Sequence, residues 1–383
     1  MAFELQRCKI CGADALEDIP EFRSLPRVTS DCLPFRSGGR LLVCRECSAA
    51  QSPADEQWFS EIREIYGAYS AYRQGGGEEQ CVLDPVTGKV TQRSRVLVNR
   101  LLALGGVPQS GTVMDIGCGT GGTLKAFSDL SGWRLFGSEL DGRSLPALKS
   151  IQGFEELYTC PLSDLPGQFT LITMVHALEH FPEPVATLRA LHAKIAPGGR
   201  LFVEVPNSEA NPFDYLIADH MLHFTPRTLT SAAARSGFAV DCLAVNWVTK
   251  ELSLTGLPVD TADEPSPAAA TGLVDEIRSR IGWLSRFVET ALQASVGGRP
   301  FGLFGSSIAA TWLCGVLDDR VSFFVEEDTN RVGRTHLDRP IFSPGQAPTG
   351  SVVFLAMAPQ VARLIAERLH DAPLDLRTPP DLV

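Results

Sequence analysis

The sequence predicts an α/β protein: one central domain between a small cysteine-rich lobe and a second α/β unit. Three observations carry that assignment. Glycine turns follow apolar, strand-like runs at two places, Val113–Gly122 and Phe301–Ser307. Segments with helical spacing of apolar residues alternate with these runs. Two Cys-x-x-Cys pairs, Cys8/Cys11 and Cys44/Cys47, precede them both.

The central run is the most informative. Val113-Met-Asp-Ile reads as the end of a buried strand, with Asp115 near its tip. Gly117, Gly119, Gly121 and Gly122 follow, and then a helix-like segment, Thr123–Leu130. Strand, glycine loop and helix N-terminus together make a nucleotide-type cofactor site. Glycine lets the backbone turn tightly and lets a ligand approach without meeting a Cβ. The loop is Asp-x-Gly-x-Gly-x-Gly, unlike the fingerprints of dinucleotide binders and NTPases. It holds no lysine, which favours a cofactor without a polyphosphate. A second strand begins at Trp133 and ends near Glu139. A carboxylate there accepts hydrogen bonds from both ribose hydroxyls.

On these residues the chain resembles the class I S-adenosylmethionine (SAM) methyltransferases. Phe169–His180 resembles that family's fourth strand and its Leu-Glu-His continuation. Ala196–Asn207 resembles its Pro-Gly-Gly turn and fifth strand. The resemblance runs over residues 95–245 and implies a Rossmann-like domain with SAM as cofactor. The positions it marks as cofactor-binding are Asp115, Gly117, Cys118, Gly119, Gly121, Glu139, Leu140 and His176. His180 is expected to pack beneath the loop.

Composition bounds the rest. The chain has 383 residues, 44% hydrophobic and 21% charged, enough for two or three domains with full cores. No apolar run reaches the ~18 residues that span a bilayer, and the opening Phe3-Glu-Leu-Gln-Arg-Cys lacks a signal-peptide core. A cytoplasmic location, with no membrane partner, is the expectation. The formal charge of −11 argues against a nucleic-acid partner, which calls for a basic footprint. In a reducing compartment the ten cysteines are more readily metal ligands or buried thiols than disulfides. The two knuckles Cys8/Cys11 and Cys44/Cys47 suit a closed, structural Zn²⁺ site, with Gly12 and Ser48 permitting the turns. Cys32 is left as a spare thiol.

Four segments result. Residues 1–53 form the zinc-binding lobe and 54–255 the SAM domain. Residues 256–296 hold a linker, Pro258–Ala270, and a long amphipathic helix, Gly272–Gln293. Residues 297–383 form a second Rossmann-like unit. Helical spacing runs over 54–75 through Trp58, Ile62, Ile65, Tyr66 and Tyr69, until Gly75–Gly77 breaks it. A further helix carries Val96, Leu97, Leu101 and Leu104. Thr225–Phe238 reads as a capped helix ending at glycine. The C-terminal unit shows strands at Phe301, Val321 and Ser351, and its Gly305-Ser-Ser turn offers amides to an anion.

Zinc lobe, SAM domain and Rossmann-like unit, in that order, are similar to the nucleotide-sugar C-methyltransferases. That resemblance implies a nucleotide-linked keto-deoxysugar as the small-molecule acceptor. Asn330–Arg334 and Arg339–Pro344 resemble the family's last domain. In Phe213–Phe224, Asp219-His220 matches the family's Glu-His pair, and Phe224-Thr225 its Phe-Ser. The family's tyrosine before the pair is absent, and Ile217 stands near its place. Tyr72 and Tyr215 are the candidates for substrate contact, and Tyr66 or Tyr69 could also supply the phenol. Methyl transfer needs the acceptor's proton removed, and imidazole suits that near neutral pH. His220 is the candidate base, Asp219 its electrostatic partner and His223 the reserve. Two alternatives stand beside carbon methylation: an O-methyltransferase of a sugar or other metabolite, and an rRNA methyltransferase with a zinc module. A SAM-binding scaffold without catalysis is a third reading.

Overall fold

The computed structural model describes residues 6–83, 90–260 and 272–382. Among these, the central sheet has seven strands: β1 Gly111–Ile116, β2 Trp133–Ser138, β3 Phe154–Tyr158, β4 Phe169–Val175, β5 Ile195–Pro206, β6 Phe238–Ala244 and β7 Glu251–Pro258. Their order is β3-β2-β1-β4-β5-β7-β6. The first five are mutually parallel, and β7 runs antiparallel to both β5 and β6. The inner strands are covered on both faces, which is why β1, β4 and β5 read as continuous apolar runs.

Each face has its own helices. Val96, Leu97 and Leu101 of α2 (Arg93–Ala103) pack with Leu124 and Phe127 of α3 (Gly122–Ser128) over Val113, Leu135 and Leu171. On the other face lie α4 (Pro184–His192) and α5 (Pro226–Arg235), whose Leu188, Leu191, Leu229 and Ala232 meet Met114, Ile172 and Val203. The α5 cap follows the sequence expectation. Thr225 accepts from the Thr228 amide, Thr228 Oγ1 accepts from the Thr225 amide, and Gly237 leaves the helix at φ +88°.

The N-terminal lobe is not self-contained. Its sheet runs Leu16–Asp18, Leu42–Cys44, Ala50–Gln51 and then Leu222–His223, so the last strand comes from the segment after β5. Helix α1 (Glu56–Gly67) starts from Asp55, whose carboxylate accepts from the Trp58 amide. It is shorter than the predicted span to residue 75. Tyr72 takes a left-handed φ of +55°, and Arg73 folds back to the Ala68 carbonyl and to Asp31, so the chain turns while the tyrosine spacing continues.

The C-terminal unit is a parallel sheet of β8 Phe301–Phe304, β9 Phe323–Val325, β10 Arg339–Phe342, β11 Val352–Leu355 and β12 Asp375–Arg377, in the order β10-β9-β8-β11-β12. Thr335–His336 adds an antiparallel edge strand on β10. The long helix α6 (Leu273–Ala294) proves to be core. Its Ile281, Leu284 and Phe287 share one cluster with Phe301 and Phe354, with Phe213 and Ile217, and with Phe22 and Val28 of the lobe. The predicted linker Pro258–Ala270 starts on the last residue of β7, and residues 261–271 lie outside the described residues, as does Phe3. Helix α7 (Ile308–Leu317) joins unit to lobe through Trp312, whose indole donates to the Pro26 carbonyl at 2.8 Å. Among the described residues no helix is long and apolar enough to cross a membrane.

Arg27 of the lobe and Glu61 of α1 form a two-pronged ion pair at 2.8 and 2.9 Å, each side chain only 4% exposed. Removing one partner strands the other charge. Glu61→Ala should cost about 3–5 kcal/mol in urea unfolding, and Arg27→Met/Glu61→Leu should recover most of it. A loss below about 1 kcal/mol, the range of an exposed pair, would show the pair to be hydrated.

Candidate active site

The glycine loop follows β1 and is shaped by three left-handed residues, Gly117 (φ +70°), Gly119 (φ +50°) and Gly121 (φ +85°). A Cβ on Gly117 would lie 2.9 Å from Ala177, and one on Gly121 2.5 Å from Ile151. On Gly119 it would meet nothing within 4 Å, so the loop faces open space there. Four hydrogen bonds frame that space. The Gly117 amide donates to the Ser138 carbonyl at 2.8 Å, and the Glu139 amide to the Tyr158 carbonyl at 3.0 Å. The Glu139 carboxylate accepts from the amides of Gly119 at 2.6 Å and Leu140 at 3.2 Å. The structure thus brings Glu139 to the loop as the sequence predicted, with Leu140 exposed beside it. Cys118 is buried, its sulfur filling the space over Gly137.

Asp115 departs from its expected place. Its carboxyl faces inward and accepts from the Thr173 hydroxyl at 2.6 Å. Burial and the neighbouring Glu139 push it up to about 7. It therefore braces β1 against β4, because a carboxyl at this depth needs a local donor.

His176, just past β4, sits at φ +51°. Its ring lies 3.0 Å from the Arg93 guanidinium, 3.1 Å from Glu251 and 3.5 Å from Glu179. Burial and Arg93 pull it down, but Glu251 and Glu179 outweigh them and lift it to about 9. Arg93 was not singled out from the sequence. It also reaches the Tyr72 hydroxyl at 3.4 Å, which places Tyr72 beside this cluster.

The histidines are organised by a residue the sequence reading overlooked. Asp214, in the short turn Pro212–Leu216, accepts from Nδ1 of both His220 and His223 at 2.9 Å. Burial opposes ionisation of Asp214, but the two rings outweigh it and hold the carboxyl well below the usual range. Burial likewise pulls His220 down, and the Asp214 hydrogen bond and charge more than offset it, so His220 lies above the ordinary histidine value. Asp219 adds its charge to His220, as expected of an electrostatic partner, but its hydrogen bonds go elsewhere. It accepts from the Ser30 amide at 2.9 Å and the Ser30 hydroxyl at 2.5 Å, and Nδ1 of His180 is 3.4 Å away. The reason is the lobe: Ser30 is within reach of position 219, and Asp214 takes the place beneath the rings.

His180, expected under the loop, meets His220 edge-on at 4.7 Å between ring centroids. Burial and the nearby His220 hold it below the ordinary value. Tyr66 stands 6.3 Å from His180. Burial raises its phenol well above the usual value, and Asp219, Tyr69, Glu179 and Glu139 add to that. Tyr215 is corrected as a substrate contact. It is 1% exposed and packs in the core, its ring 5.2 Å from His223.

The segment is clamped by the lobe along its length. The Ala218 amide donates to Val28, the Ser52 amide to Met221, and the Ser52 hydroxyl to the His220 carbonyl at 2.9 Å. One donor atom of each of Cys8, Cys11, Cys44 and Cys47 lies within 4.8 Å of the others. The Cys8–Cys47 and Cys11–Cys44 sulfurs are 3.4 and 3.6 Å apart. Four thiolates around one Zn²⁺ at ~2.3 Å would stand about 3.8 Å apart, so the set fits that ion. Gly12 (φ +77°) and Ser48 (φ +62°) make the knuckle turns, as the sequence suggested. Cys32 is buried away from them.

The raised Asp115 carboxyl carries a pH signature. Its folded value of about 7 exceeds the unfolded value of about 3.9. Its contribution is therefore fully present below about pH 4 and is lost as pH rises through about 7. Asp115→Asn removes the ionisation, so the stability of the variant relative to the parent should rise between pH 6 and pH 8 in thermal unfolding. A difference that stays constant over that range would refute the assignment.

Residues 90–243 match the family model of a methyltransferase domain. The chain is similar to the ubiquinone biosynthesis O-methyltransferase of Pseudomonas paraeruginosa (strain DSM 24068 / PA7), 30% identical over 128 residues, which are 30% of this chain and 54% of that protein. The protein of the same name from Bordetella bronchiseptica (strain ATCC BAA-588 / NCTC 13252 / RB50) is 32% identical over 126 residues, 30% of this chain and 52% of that one. The chain thus spans about half the length of these curated relatives. Among solved structures, the Burkholderia thailandensis 1,6-didemethyltoxoflavin-N1-methyltransferase aligns with a TM-score of 0.40 and 19% identity, over 55% of this chain and 96% of that one. With the family match, the glycine loop and Glu139 in view, the central part of this chain is a class I SAM-dependent methyltransferase domain.

Proposed function

We propose that the whole chain transfers the SAM methyl group to a small acceptor held between the glycine loop and the Asp214–His220 pair. The observation that carries this is the pair of braced groups: Glu139 held on the loop amides, and His220 held through Nδ1 on Asp214 with the His180 ring against it. Glu139 takes the ribose hydroxyls, while Gly117, Gly119, Gly121, Cys118 and Leu140 line the cofactor. The sulfonium is already activated, so the protein's work is alignment, exclusion of water and proton removal. Asp214 holds Nδ1–H of His220, which leaves Nε2 to take the acceptor's proton as its oxygen or carbon captures the methyl. His223, on the second oxygen of Asp214, keeps that carboxylate fixed. Asp219 acts as a positioning residue through Ser30, and Tyr72 and Arg93 face the acceptor.

For the acceptor we favour a nucleotide-linked sugar, supported by the three-part organisation and the Asp219-His220 segment. Oxygen as the methylated atom is the second reading, favoured by relatives named O-methyltransferases. The four cysteines hold a structural Zn²⁺ with no open position.

His220→Ala should leave SAM affinity within about threefold while lowering methyl transfer roughly 10²–10⁴-fold, the span of a lost general base. Glu139→Ala should instead weaken SAM by about tenfold or more, as expected for a lost hydrogen bond to a charged group. Calorimetry with SAM and a transfer assay on sugar nucleotides separate the two, and full turnover in His220→Ala would sink the base role.

For the metal, Cys47→Ser should drop zinc from one ion per chain in elemental analysis and lower the melting temperature. It should also perturb His220 and His223 NMR signals through the shared sheet. A variant that keeps both its melting temperature and those signals would count against a structural metal.

A further inference from the structure

A buried carboxylate and two imidazoles converge where the end of β4 meets the segment after β5. Glu179 and His180 lie in the short turn Leu178–His180 that follows β4. His220 comes from the other side. The Met221 amide ties the two together by donating to the Glu179 carbonyl at 2.7 Å. One donor atom of each of Glu179, His180 and His220 lies within 4.8 Å of the others. The rings of His180 and His220 stand edge to face, their planes at 89°. The Glu179 side chain is 1% exposed, and neither of its oxygens has a hydrogen-bond partner among the described residues. Nδ1 of His176 reaches it only as a charge contact at 3.5 Å. A carboxylate this deeply buried ordinarily finds donors, so this one has capacity left for a ligand.

Both rings are set for a further ligand. Nδ1 of His180 donates to the Asp219 carbonyl at 3.0 Å, because a carbonyl can only accept. Nδ1 of His220 is engaged by Asp214. Each neutral ring therefore keeps its lone pair on Nε2. Metal-bound histidines are oriented in this way, with the second nitrogen on a carboxylate or a backbone carbonyl. The neighbouring cluster of Asp214, His220 and His223 is satisfied without an ion, since ring nitrogens take both oxygens of Asp214 at 2.9 Å. Around a tetrahedral ion at ~2.0–2.1 Å, the donors of Glu179, His180 and His220 would stand about 3.3 Å apart, a closing of at most ~1.5 Å from their present spacing. His180, with 16% of its side chain exposed, is the open side.

We propose that Glu179, His180 and His220 form a second metal site, for a divalent transition ion such as Zn²⁺ or Co²⁺. Two imidazoles and one carboxylate suit such ions better than Mg²⁺ or Ca²⁺, which prefer oxygen ligands. Unlike the four-cysteine set, three protein ligands leave coordination open. The charges fit a dication: Glu179 faces it directly, Asp214 stands behind His220, and the Asp219 carboxylate lies 3.4 Å from Nδ1 of His180. A bound ion takes the Nε2 lone pair of His220, the same lone pair that receives the acceptor's proton. Ion and proton compete for it, so the metal-filled chain is the slow one. That consequence rests on the reading of His220 as base, whereas the site rests on the geometry of its three donors.

The test titrates Co²⁺ into the full chain, its four cysteines already filled with Zn²⁺, at a mildly alkaline pH where protons compete least for the ligands. One further ion should bind per chain, with the weak visible bands of nitrogen and oxygen ligands and no strong thiolate band. The paramagnetic ion should broaden the NMR signals of His180 and His220 well beyond those of His336 and His370 in the C-terminal unit. Glu179→Gln and His180→Ala should each weaken Co²⁺ binding by more than about a hundredfold, above the cost of losing an outer-shell partner. Unchanged affinity for S-adenosylhomocysteine marks an intact fold, and where a variant loses it the NMR of the parent chain decides. No second ion, undiminished Co²⁺ binding in both variants, or His180 and His220 signals that stay sharp with the ion bound would overturn the proposal. In the sugar-nucleotide transfer assay, turnover should fall as the site fills. Turnover that rises with Co²⁺ instead would uphold the site and strike the base role of His220.

Discussion

The short antiparallel pairing of Leu222–His223 with Ala50–Gln51 is the contact on which the rest of the structure depends. It makes the segment after β5 the edge strand of the lobe's sheet, and the strand on the far side of Ala50–Gln51 ends at Cys44, one of the four clustered thiols. An isolated lobe of this size buries too little apolar surface to hold itself rigid. With its four knuckle cysteines clustered and its sheet paired with the segment, it becomes a wall of the candidate site. His220 and His223 are thereby fixed from two sides, by Asp214 beneath and by the lobe's backbone above.

The charges around this wall divide into two groups. Near the sheet ends, Arg93 and His176 stand against Glu251 and Glu179. Near the lobe, Asp214 accepts from the paired histidines while Asp219 binds Ser30. Histidines shifted in opposite directions, His220 upward and His180 downward, stand ring to ring.

The core cluster joining α6, the Phe213–Ile217 turn, β8 and the lobe binds the C-terminal unit to the same wall. Phe213 sits next to Asp214 in sequence and packs on Phe287 of α6 at 5.0 Å. The position of Asp214 is therefore set by packing between segments more than sixty residues apart, as well as by its histidines.

Much of this was legible in the chain itself. The spacing of Gly117, Gly119 and Gly121 and the carboxylate at Glu139 determined the loop, because left-handed turns and a strand-end acid are local requirements. The Cys-x-x-Cys pairs and the Thr225 cap were equally local. Three things were decided only by tertiary structure. Asp214 takes the hydrogen bonds of His220 and His223 while Asp219 turns to Ser30 and His180, because which acid lies beneath a ring depends on where the lobe places Ser30. Asp115 turns inward because Thr173 arrives from another strand, and Tyr215 is buried because α6 folds over it. The sequence by itself determined which residues carry chemistry at each turn; long-range packing decided which of them meet.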